Sequence, residues 1–172
     1  MHPGFWWLVA ALGVQRLAEM AAAARNTRKL QESGARLVKD DGYGLLVLTH
    51  SLFFAAAIAE ALLSPWAGIG PWTLVGLAML IVGEALRGWS MLELGSRWTT
   101  RVVILPKAPL VAKGPYRWLR HPIYVGVTLM IVGFPLAFGL WGTLALAGTL
   151  NGVALLRRIR REDRALASVV AG

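Results

Sequence analysis

The sequence predicts an all-α, polytopic membrane protein of about five transmembrane helices. Hydrophobic residues make up 56% of the 172-residue chain and charged residues only 16%, against about 25% charged in soluble domains. Apolar runs of membrane-spanning length recur, and the basic residues collect in alternate connections. No linker or repeat divides the chain, so one domain over residues 1–172 is expected.

A helix needs roughly 20 apolar residues to cross a hydrocarbon core of about 30 Å. The first such helix is expected near residues 4–24. It carries Gln15, Arg16 and Glu19 and lacks the basic leader of a cleavable signal peptide, so it is expected to remain in the mature protein. The second lies near 43–63 and the third near 72–92. The apolar stretch Pro122 to Leu156 is too long for one crossing; Pro135, Gly139 and Gly142 split it into a hairpin of helices near 122–138 and 141–157.

Arg25, Arg28, Lys29, Arg36 and Lys39 follow the first helix, and Arg97, Arg101, Lys107, Lys113, Arg117 and Arg120 follow the third. Arg157, Arg158, Arg160, Arg161 and Arg164 fill the tail, whereas the connections 64–71 and 138–141 hold no basic residue. This alternation predicts an external N-terminus, with both large loops and the tail cytoplasmic. Trp6, Trp7, Trp66, Trp72 and Trp141 fall near the outer helix ends, where amphipathic rings favour the headgroup layer. Membrane topology therefore accounts for the net charge of +9, and no nucleic-acid partner is expected. The absence of cysteine excludes disulfides, thiolate metal sites and a cysteine nucleophile; no metal is expected.

Only Arg16 and Arg87 of the eighteen basic residues lie within the expected spans, each three positions from an acid, Glu19 and Glu84. Charges at such depth face the bundle interior or a wet cavity. Two readings stay open: Gln15, Arg16, Glu19, Glu60, Glu84 and Arg87 form a polar wall facing a substrate, or they form structural ion pairs between helices. Gly148 and Gly152, at a spacing that lets backbones approach, are expected to pack inside the bundle in preference to a dimer contact. The oligomeric state is not predicted.

The segment Gly114-Pro115-Tyr116-Arg117-Trp118-Leu119-Arg120-His121-Pro122-Ile123-Tyr124-Val125-Gly126 concentrates polar chemistry at a helix start. Pro122 suits the first helical position, so Arg120 and His121 sit at that helix's positive end. Tyr116 and Tyr124 offer aromatic faces and hydroxyls for a planar ring or a cation. The alternative is that His121 caps the helix and the tyrosines anchor it.

This stretch resembles the signature of the isoprenylcysteine carboxyl methyltransferase family, Gly-x-Tyr-x-x-x-Arg-His-Pro-x-Tyr-x-Gly, with every fixed element present. The resemblance is strongest from Leu94 to Leu166. It implies a small membrane enzyme using S-adenosyl-L-methionine, with a cytoplasmic cofactor-binding loop and a C-terminal helix. Carried over by position, it implies that Ala108, Pro109, Leu110, Val111, Tyr116, His121, Pro122, Ile123, Tyr124 and Glu162 bind the cofactor. It further implies that Arg158 meets the acceptor as the catalytic residue. Arg158 and Glu162 stand four apart, on one helix face; Asp163 takes the place of the family's usual second Glu.

The chain stops at Gly172, before the longer tail of eukaryotic relatives. Its N-terminal half, with Arg16-Leu17-Ala18-Glu19, Arg25-Asn26, Gly34-Ala35 and Leu48-x-His50, and its Trp98-Thr99-Thr100-Arg101 loop resemble a bacterial branch of the family. Those enzymes O-methylate long-chain alkylpyrones or alkylresorcinols. The acceptor implied is lipid-like, either such a hydroxyl or a prenylcysteine-type carboxylate, and the location a bacterial inner membrane with the site facing the cytoplasm.

Methyl transfer is an in-line displacement that asks for alignment and exclusion of water. A carboxylate acceptor needs no base; a phenol or enol loses a proton, and His121 and Glu19 are the candidates to take it. The soluble methyltransferase fold is not expected, because no Gly-x-Gly-x-x-Gly follows a strand pattern. Two other readings are an NADPH-dependent membrane ene-reductase, which shares the Arg-His-Pro-x-Tyr box, and a non-catalytic membrane scaffold.

Overall fold

The computed structural model describes residues 2–38, 42–105, 108–109 and 111–170, with side chains through Arg164. Five α-helices follow in order: α1 (Pro3–Glu32), α2 (Tyr43–Leu63), α3 (Thr73–Leu94), α4 (Pro122–Ala137) and α5 (Trp141–Val170). Helices α2 and α3, the latter running on through a 3₁₀ turn to Arg97, are long and apolar enough to cross a membrane, and α4 is a shorter apolar helix. Large apolar side chains such as Leu63, Leu74 and Leu92 are exposed, as a lipid-facing bundle requires.

Helix α1 is longer than the span expected near 4–24. Pro3 opens it, and the His2 ring accepts a hydrogen bond from the Gly4 amide. No Gly or Pro interrupts the polar sequence after Ala24, so the helix continues for 30 residues, about 45 Å. It stops where Gly34 takes a φ of 86°. There the Ala35 amide donates to Leu30 and that of Gly34 to Gln31, a closure that satisfies the last carbonyls. Helix α5 also outruns its expected end at 157, because its Arg- and Ala-rich tail keeps good helix formers.

The hairpin break falls at Phe138–Leu140. Pro135 sits inside the last turn of α4, and Gly139, with a φ of 65°, makes the turn. Gly142 lies within α5, where its amide and that of Thr143 donate to the two Glu60 carboxylate oxygens at 2.9 and 2.6 Å. Glu60 thus caps α5 and belongs to no polar wall.

Helices α3 and α4 meet backbone to backbone. A Cβ on Gly83 would lie 2.7 Å from the Gly126 carbonyl, and one on Gly133 2.7 Å from the Gly76 carbonyl. Gly148 and Gly152, expected to pack inside, face open space. The faces of α5 that meet the other helices carry Ala147, Asn151, Ala154, Leu155 and Arg158, all buried. The core centres on Phe5, Phe53, Met130, Ile131 and Phe134.

One element goes beyond the all-α expectation: a two-stranded antiparallel sheet of β1 (Arg36–Leu37) and β2 (Val103–Ile104). The β-branched run Val102-Val103-Ile104 suits an extended segment. The pair ties the connection after α1 to the connection after α3, and so holds together the end of the bundle that carries the large basic loops.

Candidate active site

Helices α4 and α5 come together at that end, around His121. His121 precedes α4 as its cap residue, yet its side chain makes no capping bond. Its ring instead stacks on Tyr124, with centroids 5.3 Å apart and an interplanar angle of 16°. The Tyr124 hydroxyl donates to Glu162 at 2.7 Å and accepts from Arg158 Nε at 3.3 Å. A second Arg158 nitrogen donates to the Thr100 carbonyl at 2.9 Å. Arg158 is only 4% exposed, so its guanidinium is positioned by these partners rather than by water.

Two carboxylates flank the imidazole. Glu162 Oε2 lies 3.9 Å from His121 Nδ1, and Asp163 Oδ1 lies 3.5 Å from Nε2. Tyr116, in the 3₁₀ turn Gly114–Arg117, is within electrostatic reach of Glu162. Burial first, and then that carboxylate, push its phenol above the ordinary range, so it remains a protonated donor at neutral pH.

The structure therefore brings His121, Tyr124, Arg158 and Glu162 into one cluster. Pro122 is fully buried and Ile123 packs against the core; both position the start of α4 without presenting polar atoms to the cluster. Ala108, Pro109 and Val111 belong to the preceding loop, where the Pro109 carbonyl accepts from Arg97 at 2.8 Å. Among the described residues, no hydrogen bond or ion pair joins this loop to the cluster. Leu110 lies outside the described residues.

The sequence reading missed three participants. Thr100 acts through its carbonyl, a group every residue owns. Asp163 entered only as a replacement for Glu. Asn26, whose amide donates to the Trp98 carbonyl at 2.9 Å, holds the loop bearing Thr100; its one signal was the Arg25-Asn26 pair.

The charges at mid-span resolve into a closed network. Arg87, 2% exposed, donates to Glu19 at 2.6 Å and to Glu84 at 2.7 Å. Arg16 donates to Glu19 at 2.8 Å, and Gln15 donates to Glu84 at 2.6 Å. No room for a water molecule remains between them. Of the two readings left open, the packing supports ion pairing between α1 and α3, because each carboxylate is already satisfied by side chains of the network. Glu19 is thereby committed to two guanidiniums and stands apart from His121.

The fold and the cluster define a helical membrane protein with a polar site at one end of its bundle. A sequence model of the isoprenylcysteine carboxyl methyltransferase family matches residues 75–168. The chain belongs to that family of membrane methyltransferases. It is similar to an uncharacterized protein of Bacillus subtilis, YpbQ, with 40% identity over 94% of this chain and 96% of the relative. An uncharacterized protein of Haemophilus influenzae is 26% identical over 88% of each chain. The protein-S-isoprenylcysteine O-methyltransferase of Xenopus laevis is 32% identical over 71% of this chain. This chain covers 43% of that protein's length. No solved structure matches significantly.

Proposed function

We propose that the protein is an S-adenosyl-L-methionine-dependent O-methyltransferase for a lipid-like acceptor, with its site on the cytoplasmic side of five membrane-spanning helices. The observation that carries this reading is the Tyr124 hydroxyl held between Arg158 and Glu162. It couples a buried cation to a carboxylate at the mouth of the bundle.

The donor set fits the cofactor. Glu162 and Asp163 beside a stacked His121–Tyr124 pair suit a ligand that is cationic at one end and aromatic at the other. When bound, S-adenosyl-L-methionine supplies an electrophilic methyl carbon on a sulfonium centre. Glu162 offsets positive charge, Tyr124 fixes the carboxylate's direction, and Tyr116 donates from the loop. Ala108, Pro109 and Val111 add further cofactor contacts from the preceding loop, which Arg97 holds at the Pro109 carbonyl. Arg158, oriented by the Thr100 carbonyl, stabilises the acceptor oxygen as it carries negative charge.

The acceptor class is an acidic oxygen on a long apolar chain: an alkylpyrone or alkylresorcinol hydroxyl, or a prenylcysteine-type carboxylate. Support for the hydroxyl comes from the resemblance of the N-terminal half to the alkylpyrone branch; support for the carboxylate comes from the name of the Xenopus laevis relative. With Glu19 committed to Arg16 and Arg87, His121 is the remaining candidate to take a proton from a hydroxyl. An NADPH-dependent reductase and a scaffold find no support in the family match.

The topology reading rests on the two ends of the bundle. The connections without basic residues meet at one end, where the Gly68 amide donates to Phe138; β1 and β2 join the basic connections at the other. Reporter fusions at Gly172 active only outside the cytoplasm would overturn it. The function is tested by incubating purified protein with labelled cofactor and a membrane lipid extract, then locating the label by mass spectrometry. Label in an oxygen-bound methyl of a long-chain lipid is expected; reduction of a lipid double bond, or no transfer to any fraction, would reject the proposal.

A further inference from the structure

Away from the Tyr124 cluster, a cleft of about 410 Å³ opens between α2 and α5. The first turn of α2, Gly42 to Leu45, forms one side, and Arg101, Ala154, Arg157 and Arg161 form the other. None of the cofactor-site residues lines it. The helix start within it has no side-chain cap and no acid in its first turn. A Cβ on Gly42 would lie 3.4 Å from an Arg161 nitrogen, so that guanidinium rests against the cap. The Arg101 guanidinium lies 5.1 Å over the Tyr43 ring.

Charge and position together select the occupant. Arg101, Arg157 and Arg161 bring three guanidiniums to the cleft, the acids that follow Arg161, Glu162 and Asp163, face His121 instead, and the helix N-terminus adds its own positive end. Arg157 is exposed and stands at the level where the apolar part of α5 ends, which is the headgroup layer. Leu48, one turn on from Gly44, and Val153, one turn before Arg157, are exposed and continue both walls as apolar surface toward the bundle's middle. A free phosphate would use the cationic head of this groove and leave its apolar length unused; a phospholipid uses both.

We propose that the α2–α5 cleft binds the phosphate headgroup of an anionic phospholipid from the cytoplasmic leaflet, its acyl chains lying along Leu48 and Val153. Arg101 follows Thr100, whose carbonyl receives Arg158. A headgroup held by Arg101 therefore steadies the loop that orients Arg158, and turnover rises with the anionic lipid content of the bilayer. The proposal rests on the five-span topology and is independent of which acceptor is methylated.

Full-length protein is reconstituted in nanodiscs of dioleoylphosphatidylcholine mixed equally with dioleoylphosphatidylglycerol, and lipids retained after release are counted by native mass spectrometry. Retention of phosphatidylglycerol is expected in the parent. Arg157→Gln with Arg161→Gln should weaken it about thirty-fold, from roughly a factor of five for each surface arginine. Arg160→Gln with Arg164→Gln, an equal charge loss on the same tail, should retain the lipid. Gly44→Leu leaves every arginine in place and meets nothing in the fold, so it should fold, fill the cleft and release the lipid. Equal loss in both arginine pairs, or full retention in Gly44→Leu, would overturn the site. Displacement by millimolar glycerol phosphate together with unchanged retention in Leu48→Asn would assign the cleft to free phosphate and equally overturn it. Cofactor affinity and the Gly172 reporter are measured alongside; if both stand while lipid selectivity is absent, the lipid site alone is wrong.

Discussion

The side-chain amide of Asn26 donates to the Trp98 carbonyl across 2.9 Å, tying helix α1 to the loop from which Arg158 is oriented. Asn26→Ala is expected to lower turnover about two- to tenfold, the worth of one neutral hydrogen bond, with cofactor affinity unchanged. Asn26→Asp, which keeps the shape and loses the donor, should match it. An equal fall in cofactor affinity would show that Asn26 supports the fold at large and does not position Arg158.

Arg158 separates cofactor binding from transfer. With cofactor saturating, Arg158→Ala should slow single-turnover methylation by roughly 10²–10³, as removal of a charge-stabilising donor does. Lys should rescue poorly, because it cannot reach Tyr124 and Thr100 together with a forked group. Arg160→Ala is the control from the same tail. Indistinguishable rates in all three variants and the parent would remove Arg158 from the chemistry.

Tyr124 and Glu162 are predicted to govern cofactor affinity. Tyr124→Phe frees Glu162 from its 2.7 Å bond, and Glu162→Gln removes the charge. Each should weaken binding about 10- to 100-fold, the range for one hydrogen bond to a charged group. Calorimetry on the folded variants checks this, and unchanged affinity in both would move the cofactor elsewhere.

The glycine contact between α3 and α4 predicts an asymmetry in stability. Gly83→Val and Gly133→Val each drive carbon into opposing backbone and should cost at least about 1–3 kcal/mol. Gly148→Val meets open space and should be near neutral. Thermal midpoints in nanodiscs test this; a Gly148→Val loss as large as that of Gly83→Val would mean that α5 packs against a neighbour.

The helices were legible where hydrophobicity and chain breakers agree. Tyr43 to Leu63 is a predominantly apolar run between Gly42 and Ser64, so both ends show. The far ends of α1 and α5 carry no such mark, because a helix that leaves the bilayer keeps its hydrogen bonds while losing its apolar signal. The glycine seam was hidden for a different reason: Gly76 and Gly83 on α3, and Gly126 and Gly133 on α4, are each seven apart, and a sequence does not say which two helices meet. The four-residue spacing of Gly148 and Gly152 marks a face that, among the described residues, meets open space at both glycines. In the site, His121, Tyr124, Arg158 and Glu162 stood out through motif and tail, whereas Thr100 contributes a backbone atom and has no side-chain signature.

Backbone contact between α3 and α4 also divides the molecule by mobility. With carbonyls of each helix seated against glycines of the other, these two helices touch through backbone that has no rotamers to change, and they move as one plate. Any opening that admits a long apolar molecule must come from the seams built of side chains, among them those of α5 with α2 and α4. The plate supplies a fixed wall with Tyr124 at its edge, and α5, which carries Arg158 and Glu162, is the door.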